Sequence, residues 1–525
     1  MRAVLTGFSG SGKTTVGRIV ARDLGDLPWV DLDEAIVLRA GRSIEQIFAE
    51  GGEGELRRIE RTVALELLGR PGPLIVSAGG GTLGDPAVRE AARAVPCIAL
   101  YVSPETAIAR VASGGGVRPL LAGSDPLARA RELLAARAGL YASGDAAVQT
   151  EGRSPQAVAA EVCAILRTEA VAVPLGERGY PVYVGSGLLA RVPRLVVDAG
   201  IGTAAAAIVC DRAVARRHGR GLCRELGRTH RRVIRVLQVG GDRHKTLRAA
   251  SRLLDKILAA GFERSCPVIA LGGGVVSDMG GFVAATLLRG VPFVPLPTTL
   301  LAQADASVGG KVGVNHKTGK NLIGAFHQPR LVVADLDTLR TLGRRQLASG
   351  LAEVVKCGVI RDEAILGLLE EHSEAVLAGD PGSLAEPLKR AIAVKARIVA
   401  RDERESGERR ALNFGHTVGH ALEAAGGYHG LLHGEAVAIG MAAALKMGVT
   451  RGVTPAGLAG RTIALLRRLG LPVEAPAELV GGATLPMGRD KKAHDGLVRL
   501  VLAAGGGRTE ELAIRPEELA REALG

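Results

Sequence analysis

Gly7-Phe8-Ser9-Gly10-Ser11-Gly12-Lys13-Thr14-Thr15 follows a short apolar run at residues 2–6 and precedes a stretch carrying Val16, Ile19, Val20 and Leu24. The run reads as a buried strand, and the later spacing as one face of a helix. Strand, GxxxxGK[ST], helix is the context that a phosphate-binding loop requires. The glycines turn backbone N–H groups into one concavity, and the helix N-terminus adds positive potential. Lys13 is placed to bridge the β- and γ-phosphates of a nucleotide, and Thr14 to hold Mg²⁺. A glycine turn before a helix is the plainer alternative. Composition argues against it: the chain has 12 lysines against 55 arginines, and the first 168 residues contain one lysine, Lys13. An ammonium where guanidinium is the default cation marks a need for a compact point charge.

Acceptor features lie further along. Val30-Asp31-Leu32-Asp33 ends a second apolar run. Read as a strand, it puts Asp31 and Asp33 on one face at period two. A carboxylate there can hold Mg²⁺ or orient an acceptor hydroxyl. Arg57 and Glu60 fall at i, i+3 on a helix, and Gly79-Gly80-Gly81 follows an apolar run at 74–76 as a bare-backbone contact site. Gly114-Gly115-Gly116-Val117-Arg118-Pro119 reads as a lid carrying one arginine, with Arg137 on the next helix. This part contains no histidine, so acid–base work falls to a carboxylate.

The chain of 525 residues predicts two to four domains, and 47% hydrophobic with 23% charged residues excludes wholesale disorder. Residues 1–168 carry 19 basic and 19 acidic side chains, so the net +13 belongs to 169–525, where all 11 histidines also lie. That is a domain boundary in composition. No nucleic-acid motif accompanies the charge, and 7 Phe, 1 Trp and 5 Tyr are too few for a stacking platform, so no nucleic-acid partner is expected. The N-terminus runs straight into the glycine loop, and no apolar run of about 18 residues occurs, so no membrane partner is expected. Six cysteines without CxxC spacing suit reduced thiols and a cytoplasmic location.

From Val171 the pattern changes. Runs at 171–175 and 180–184 read as two antiparallel strands. Apolar runs at 205–210, 233–239, 268–271 and 293–296 alternate with helix-like stretches, which argues an α/β sheet. After Leu336 the spacing is helical almost throughout. Gly272-Gly273-Gly274-Val275-Val276-Ser277-Asp278 follows a strand and suits close approach of backbone to a pyrophosphate. Asp305, Lys311, Lys320 and Asn321 cluster around glycines, as in a pocket for a polyol phosphate. His416 and His420 share a helix face at i, i+4, His433 follows thirteen residues later, and Glu353 starts a helix upstream. Two imidazoles and a carboxylate leave a fourth position open, as catalytic Zn²⁺ requires. By spacing alone, His416 with His420 is the obvious pair.

The first part, over residues 1–167, resembles shikimate kinase. That resemblance implies an α/β P-loop domain with a parallel sheet. Gly10, Ser11, Gly12, Lys13, Thr14, Thr15, Arg118 and Arg153 would hold ATP, with Thr14 and Asp31 on Mg²⁺. Asp33, Arg57, Gly80 and Arg137 would bind shikimate, with Asp33 and Lys13 catalytic. Leu56 and Val37 depart from the family, which has an aromatic residue and a glutamate there.

The second part resembles 3-dehydroquinate synthase from Val171 to near the end. The resemblance implies an NAD-binding α/β part and a helical metal-binding part. Zn²⁺ or Co²⁺ would sit on Glu353, His416 and His433, which moves His420 from the metal to the substrate. NAD would lie on Asp211, Gly240, Gly241, Asp242, Arg243, His244, Lys245, Gly274, Val275, Val276, Ser277, Asp278, Thr298, Thr299, Lys311, Lys320, Thr338 and Thr341. The heptulosonate phosphate would meet Arg289, Asp305, Lys311, Asn321, Lys395, Arg409, Asn413, His420 and Lys491, the last beside Asp490 and Lys492. Lys356, Glu405 and His420 would be catalytic. Arg289 would cross the interface of a homodimer built on the second part.

The expectation is a fusion with domains at 1–168, 169–335 and 336–525. It makes shikimate 3-phosphate with ATP and 3-dehydroquinate with NAD and zinc. These two steps are not consecutive. A kinase of another small polyol, a cyclase making another carbocycle, and an NAD- and metal-dependent polyol dehydrogenase are the alternatives.

Overall fold

The computed structural model describes residues 1–113, 119–121, 125–427, 429–488 and 497–524. The chain divides into two compact units: Met1–Val182 with Arg194–Ile201, and Tyr183–Pro193 with Gly202–Gly525.

The first unit is built on five parallel strands, β1 (Arg2–Gly7), β2 (Trp29–Asp31), β3 (Leu74–Ser77), β4 (Cys97–Tyr101) and β5 (Ala146–Gln149), in the order β2-β3-β1-β4-β5. The central strand is apolar on both faces because helices cover both. Leu5 packs with Val16, Val20, Val158 and Val162 from the helices Lys13–Asp23 and Pro155–Leu166. Val4 packs oppositely with Leu32, Ile36, Ile59 and Val63 from Leu32–Ala40 and Ile44–Gly69. Each such fully buried side chain contributes about 1.5–3 kcal/mol. One expectation fails here. The second strand stops at Asp31, whose Oδ1 accepts the N–H groups of Asp33 at 2.9 Å and Glu34 at 3.4 Å. Asp31 is therefore an N-cap, and Asp33 sits in the first turn of a helix, not on a strand face.

In the second unit, Phe293–Pro297, Val268–Gly272, Ala205–Asp211 and Arg232–Gln238 form a four-stranded parallel sheet in that order. A hairpin, Lys311–His316 with Gly319–Phe326, stands beside it with Lys311 opposite Phe326. The helices Arg344–Ile360, Pro381–Arg401, His416–Ala425 and His433–Thr450 carry the remaining chemistry. Glu353 lies in the middle of Arg344–Ile360, not at its start. The helical spacing also gives way before the end: Val498–Gly505 pairs antiparallel with Arg508–Ile514. Gly505, Gly506 and Gly507, at φ +76, +57 and +71, make the turn that helical reading overlooks. Among the described residues no helix is long and apolar enough to cross a membrane.

Candidate active sites

In the first unit a cavity of about 320 Å³ opens over the carboxyl end of β1. Gly10 and Gly12 have φ +80 and +91, and a Cβ on Gly10 would meet the Ala107 carbonyl oxygen at 2.5 Å. Only glycine lets the loop lie this close to its support. Lys13 Nζ donates to Phe8 O at 3.0 Å, which folds the ammonium back over the loop. Thr14 Oγ1 donates to Asp31 Oδ2 at 2.7 Å, so the hydroxyl and carboxylate expected at Mg²⁺ already meet.

Across the cavity, two guanidiniums take the space that side chains on the triple glycine would fill. A Cβ on Gly80 would lie 3.3 Å from Arg137 Nη1, and one on Gly81 would lie 2.7 Å from Arg57 Nη2. Glu60, 5% exposed, holds Arg57 Nη1 at 2.5 Å and also accepts from Thr82 Oγ1. Tyr141 donates to Gly80 O at 2.7 Å. Gly10, Gly12, Lys13, Thr14, Thr15, Asp31, Asp33, Arg57, Gly80 and Arg137 all line the cavity, as do Leu56 and Phe48. Ser11 is buried beneath the loop. Arg118 lies outside the described residues. Arg153 is placed elsewhere: its guanidinium pairs with buried Glu161 at 2.7 Å and donates to the carbonyls of Gln149, Ala157 and Asp198. Arg110 is the arginine that reaches the glycine loop, donating to Gly10 O at 3.3 Å and Thr150 Oγ1 at 3.0 Å. No motif in the sequence marks Arg110; only the fold brings it to the loop.

In the second unit, Glu353 Oε1 lies 3.5 Å from His416 Nε2 and 3.6 Å from His433 Nε2. These three ligand atoms come from three helices and lie within 4.8 Å of one another. Glu353 is 1% exposed, its Oε2 is taken by Lys356 Nζ, and its Oε1 is buried without a hydrogen-bond partner. A buried orphan oxygen between two imidazoles is a fit for a divalent cation, and one carboxylate with two histidines is a zinc-type donor set. Burial alone would lower His433, but the neighbouring carboxylates of Glu353 and Glu423 push it up to about 10.

A second charged cluster adjoins the first. Lys395 Nζ meets Asp305 Oδ1 at 2.5 Å. Burial would raise the Asp305 carboxyl, yet the Lys395 ammonium pulls it down to about 2. Lys395 itself is lowered by desolvation. Arg409, 2% exposed, donates Nη2 to Gly309 O at 3.2 Å. Glu405, at φ +62, accepts from Lys311 Nζ and from Asn413 Nδ2 at 3.1 Å. The loop that presents Glu405 and Arg409 is gathered by Asp402, which accepts from Ser406 N, Gly407 N and Arg409 N at 2.8, 2.6 and 2.9 Å.

The segments expected to hold NAD lie at the carboxyl ends of the parallel strands, where such sheets bind ligands. Gly273 caps the helix Gly274–Thr286, and a Cβ there would press on Thr299 Cγ2 at 3.1 Å. Val275, Val276, Ser277 and Asp278 occupy the start of that helix. Lys245 Nζ donates to Asp278 and Asn321. Lys320 Nζ pairs with Asp242 Oδ2 at 3.1 Å, and Gly240 packs beside Asp211. Ser277 Oγ is buried without a partner, which suits an acceptor brought by a dinucleotide. Thr298 N donates to Gly272 O at 2.9 Å. Thr338 and Thr341 stand on the turn Leu336–Thr341 with their hydroxyls on the carbonyls of Asp335 and Thr338. Arg289 is exposed, at φ +66, at the end of the turn Leu287–Arg289. Lys491, Asp490 and Lys492 lie outside the described residues.

Residues 9–167 match the family model for shikimate kinase. Residues 235–349 and 350–493 match those for the N-terminal and C-terminal parts of 3-dehydroquinate synthase. The 3-dehydroquinate synthase of Rhodospirillum rubrum is 48% identical over 351 residues, which is 66% of this chain and 91% of that protein. That of Nitrosococcus oceani is 48% identical over 333 residues, 63% of this chain and 92% of its own. A solved 2-epi-5-epi-valiolone synthase of Streptomyces hygroscopicus, with NAD⁺ and Zn²⁺ bound, is 31% identical at a TM-score of 0.58, covering 65% of this chain and 95% of that one. A 2-deoxy-scyllo-inosose synthase, 24% identical at a TM-score of 0.61 over 67% of this chain and 99% of its own, shares the fold. This chain belongs to the 3-dehydroquinate synthase family and carries a shikimate kinase domain before it, as a bifunctional enzyme of the shikimate pathway.

Proposed function

We propose that the two clusters carry the two activities, with domains at 1–168, 169–335 and 336–525. In the kinase, Arg57 and Arg137 hold the shikimate carboxylate, a task for which paired guanidinium forks are suited. Asp33 orients the acceptor hydroxyl and takes its proton. Lys13 neutralises charge on the transferring phosphoryl group of ATP. Thr14 and Asp31 hold Mg²⁺, which screens the phosphate charge.

In the synthase, Glu353, His416 and His433 hold Zn²⁺ or Co²⁺, and the loop Asp242–His244 with the helix at Gly274 holds NAD. The cation supplies Lewis acidity toward vicinal hydroxyls, and the dinucleotide takes up and returns one hydride, so none is consumed overall. Lys395 and Arg409 hold the carboxylate of 3-deoxy-D-arabino-heptulosonate 7-phosphate. Lys356 and Lys311 add fixed positive charge for enolate-like intermediates. Glu405 anchors Lys311 and Asn413 against the substrate, and His420 with Lys491 faces the phosphate that leaves. A homodimer through the second unit supplies Arg289 to its neighbour's site, and the enzyme works in the cytoplasm.

The convergence of Glu353, His416 and His433 carries this reading. Its test is product analysis on the full chain. Heptulosonate phosphate with catalytic NAD⁺ should release phosphate and give 3-dehydroquinate without net NADH, and chelation should abolish this while sparing ATP-dependent phosphorylation of shikimate assayed with Mg²⁺ restored. Stoichiometric NADH would instead mark a polyol dehydrogenase. An unchanged substrate would send the assignment to another sugar phosphate, where Lys395 and Arg409 would lack a carboxylate to bind.

A further inference from the structure

The two histidines differ in what holds their outer nitrogen. His416 Nδ1 faces the Phe414 carbonyl at 3.2 Å, within its own turn. His433 Nδ1 faces a side chain from another helix, Glu423 Oε2 at 3.3 Å. The other oxygen of Glu423 lies 3.9 Å from Lys320 Nζ, on the hairpin strand Gly319–Phe326. Lys320 in turn reaches Asp242 Oδ2 at 3.1 Å, at the start of the loop Asp242–His244. A continuous row, His433–Glu423–Lys320–Asp242, thus joins the metal cluster to the dinucleotide loop. Glu423 falls seven residues after His416 and three after His420, on the helix His416–Ala425. Its side chain is only 11% exposed. Nothing in the reaction uses it directly.

We propose that Glu423 is a positioning residue that couples the metal centre to dinucleotide binding. This rests on the reading of Glu353, His416 and His433 as the ligands. Glu423 accepts the Nδ1–H of His433, which fixes the tautomer and leaves the Nε2 lone pair directed at the space beside Glu353 Oε1. Outer-shell carboxylates of this kind hold ring orientation and raise ligand basicity. Lys320 transmits the constraint. When a dinucleotide orders the Asp242 loop, Lys320 is held, Glu423 is held, and His433 is pre-aimed. The coupling is reciprocal, so bound metal tightens the dinucleotide by the same factor.

His420, Glu423 and His433 also bring three ligand atoms within 4.8 Å, so a direct ligand role for Glu423 is the competing geometry. Zn²⁺ affinity of the full chain, measured by competition with a chromophoric chelator with and without NAD⁺, separates the two, with Co²⁺ absorption reporting coordination number. Glu423→Leu should weaken Zn²⁺ about 10- to 100-fold while keeping the wild-type Co²⁺ spectrum. Glu423→Gln, which still presents an oxygen to Nδ1–H, should recover most of that loss. Lys320→Met, measured at NAD⁺ concentrations that saturate the variant, should erase the tightening of Zn²⁺ that NAD⁺ produces, about fivefold or more in wild type. Unchanged Zn²⁺ affinity in a folded Glu423→Leu protein overturns the proposal. So does a changed Co²⁺ coordination number, which would make Glu423 a ligand, or a wild-type chain in which NAD⁺ leaves Zn²⁺ affinity unaltered. If Glu353→Gln and His416→Ala bind Zn²⁺ as wild type does, the ligand assignment itself has failed, separately from the role of Glu423.

Discussion

Gly434 packs on Ser349 so closely that a Cβ on the glycine would lie 1.8 Å from the Ser349 carbonyl oxygen. Gly434 N also donates to Ser349 Oγ at 3.0 Å. Glu353 is one turn beyond Ser349 and His433 is next to Gly434, so this one contact sets how near those two ligands come. Gly440 does the same toward His416, since a Cβ there would lie 1.9 Å from the Gly415 carbonyl oxygen. Gly434→Ala must push two buried helices apart. Expected are a loss of about 2–3 kcal/mol of stability and at least a tenfold fall in Zn²⁺ affinity, read by denaturant unfolding and chelator competition.

The two activities should be separable within one chain. Lys13→Met removes the ammonium that folds back over the phosphate loop to Phe8 O. Shikimate phosphorylation should fall about 10²- to 10³-fold in kcat, while phosphate release from heptulosonate phosphate continues at the wild-type rate. His433→Ala should give the opposite pattern. Steady-state assays of both reactions on each variant check this.

Acid should loosen the loop that carries Glu405 and Arg409. Burial would raise the Asp402 carboxyl, but the N–H groups of Arg409, Ser406 and Gly407 hold it at about 2, below its usual 3.8. A carboxyl depressed in the fold stabilises above its unfolded value and loses that contribution as pH falls through the folded one. Asp402→Asn should therefore cost on the order of 2 kcal/mol at pH 7, narrowing below about pH 4 and disappearing as the pH falls through about 2. Urea unfolding of both proteins across that range is the measurement, and a pH-independent difference would count against the carboxylate.

Salt should slow dinucleotide capture. Residues 212–252 hold 13 basic and 2 acidic side chains, so most of the +13 is concentrated there. Arg216, Arg217, Arg220, Arg224 and Arg235 are exposed on it, and the stretch runs from beside Asp211 through the loop Asp242–His244. A field of one sign raises association rates of anions and is screened over a Debye length of about 10 Å at 0.1 M. Stopped-flow association of NAD⁺ should slow as salt rises while dissociation stays constant, and Arg216→Gln with Arg220→Gln and Arg224→Gln should flatten that slope.

The sequence by itself determined the parallel-sheet architecture and the residue types from which both clusters are built. The phosphate loop, the histidines and the lysines are legible because each depends on local spacing or on a rare residue type, whereas the Arg57 and Arg137 pair came only from the family resemblance. Asp33 was legible as a residue but not as a position, since a cap at Asp31 outcompetes continuation of the strand. The closing hairpin was hidden for a related reason: three glycines terminate a helical-looking run without changing its hydrophobicity. Residue spacing alone did not decide which histidine shares Glu353 with His416. His420 stands as near His416, with ring centroids 5.2 Å apart, yet His433 is the one whose Nε2 meets Glu353, because Gly434 and Gly440 allow approaches no other residue permits. Only the tertiary structure decided that Arg153 is a strut and that Arg110 reaches the loop. Spacing along a chain constrains neighbours within a turn or a strand; which helix comes to lie against which depends on steric contacts between residues distant in sequence.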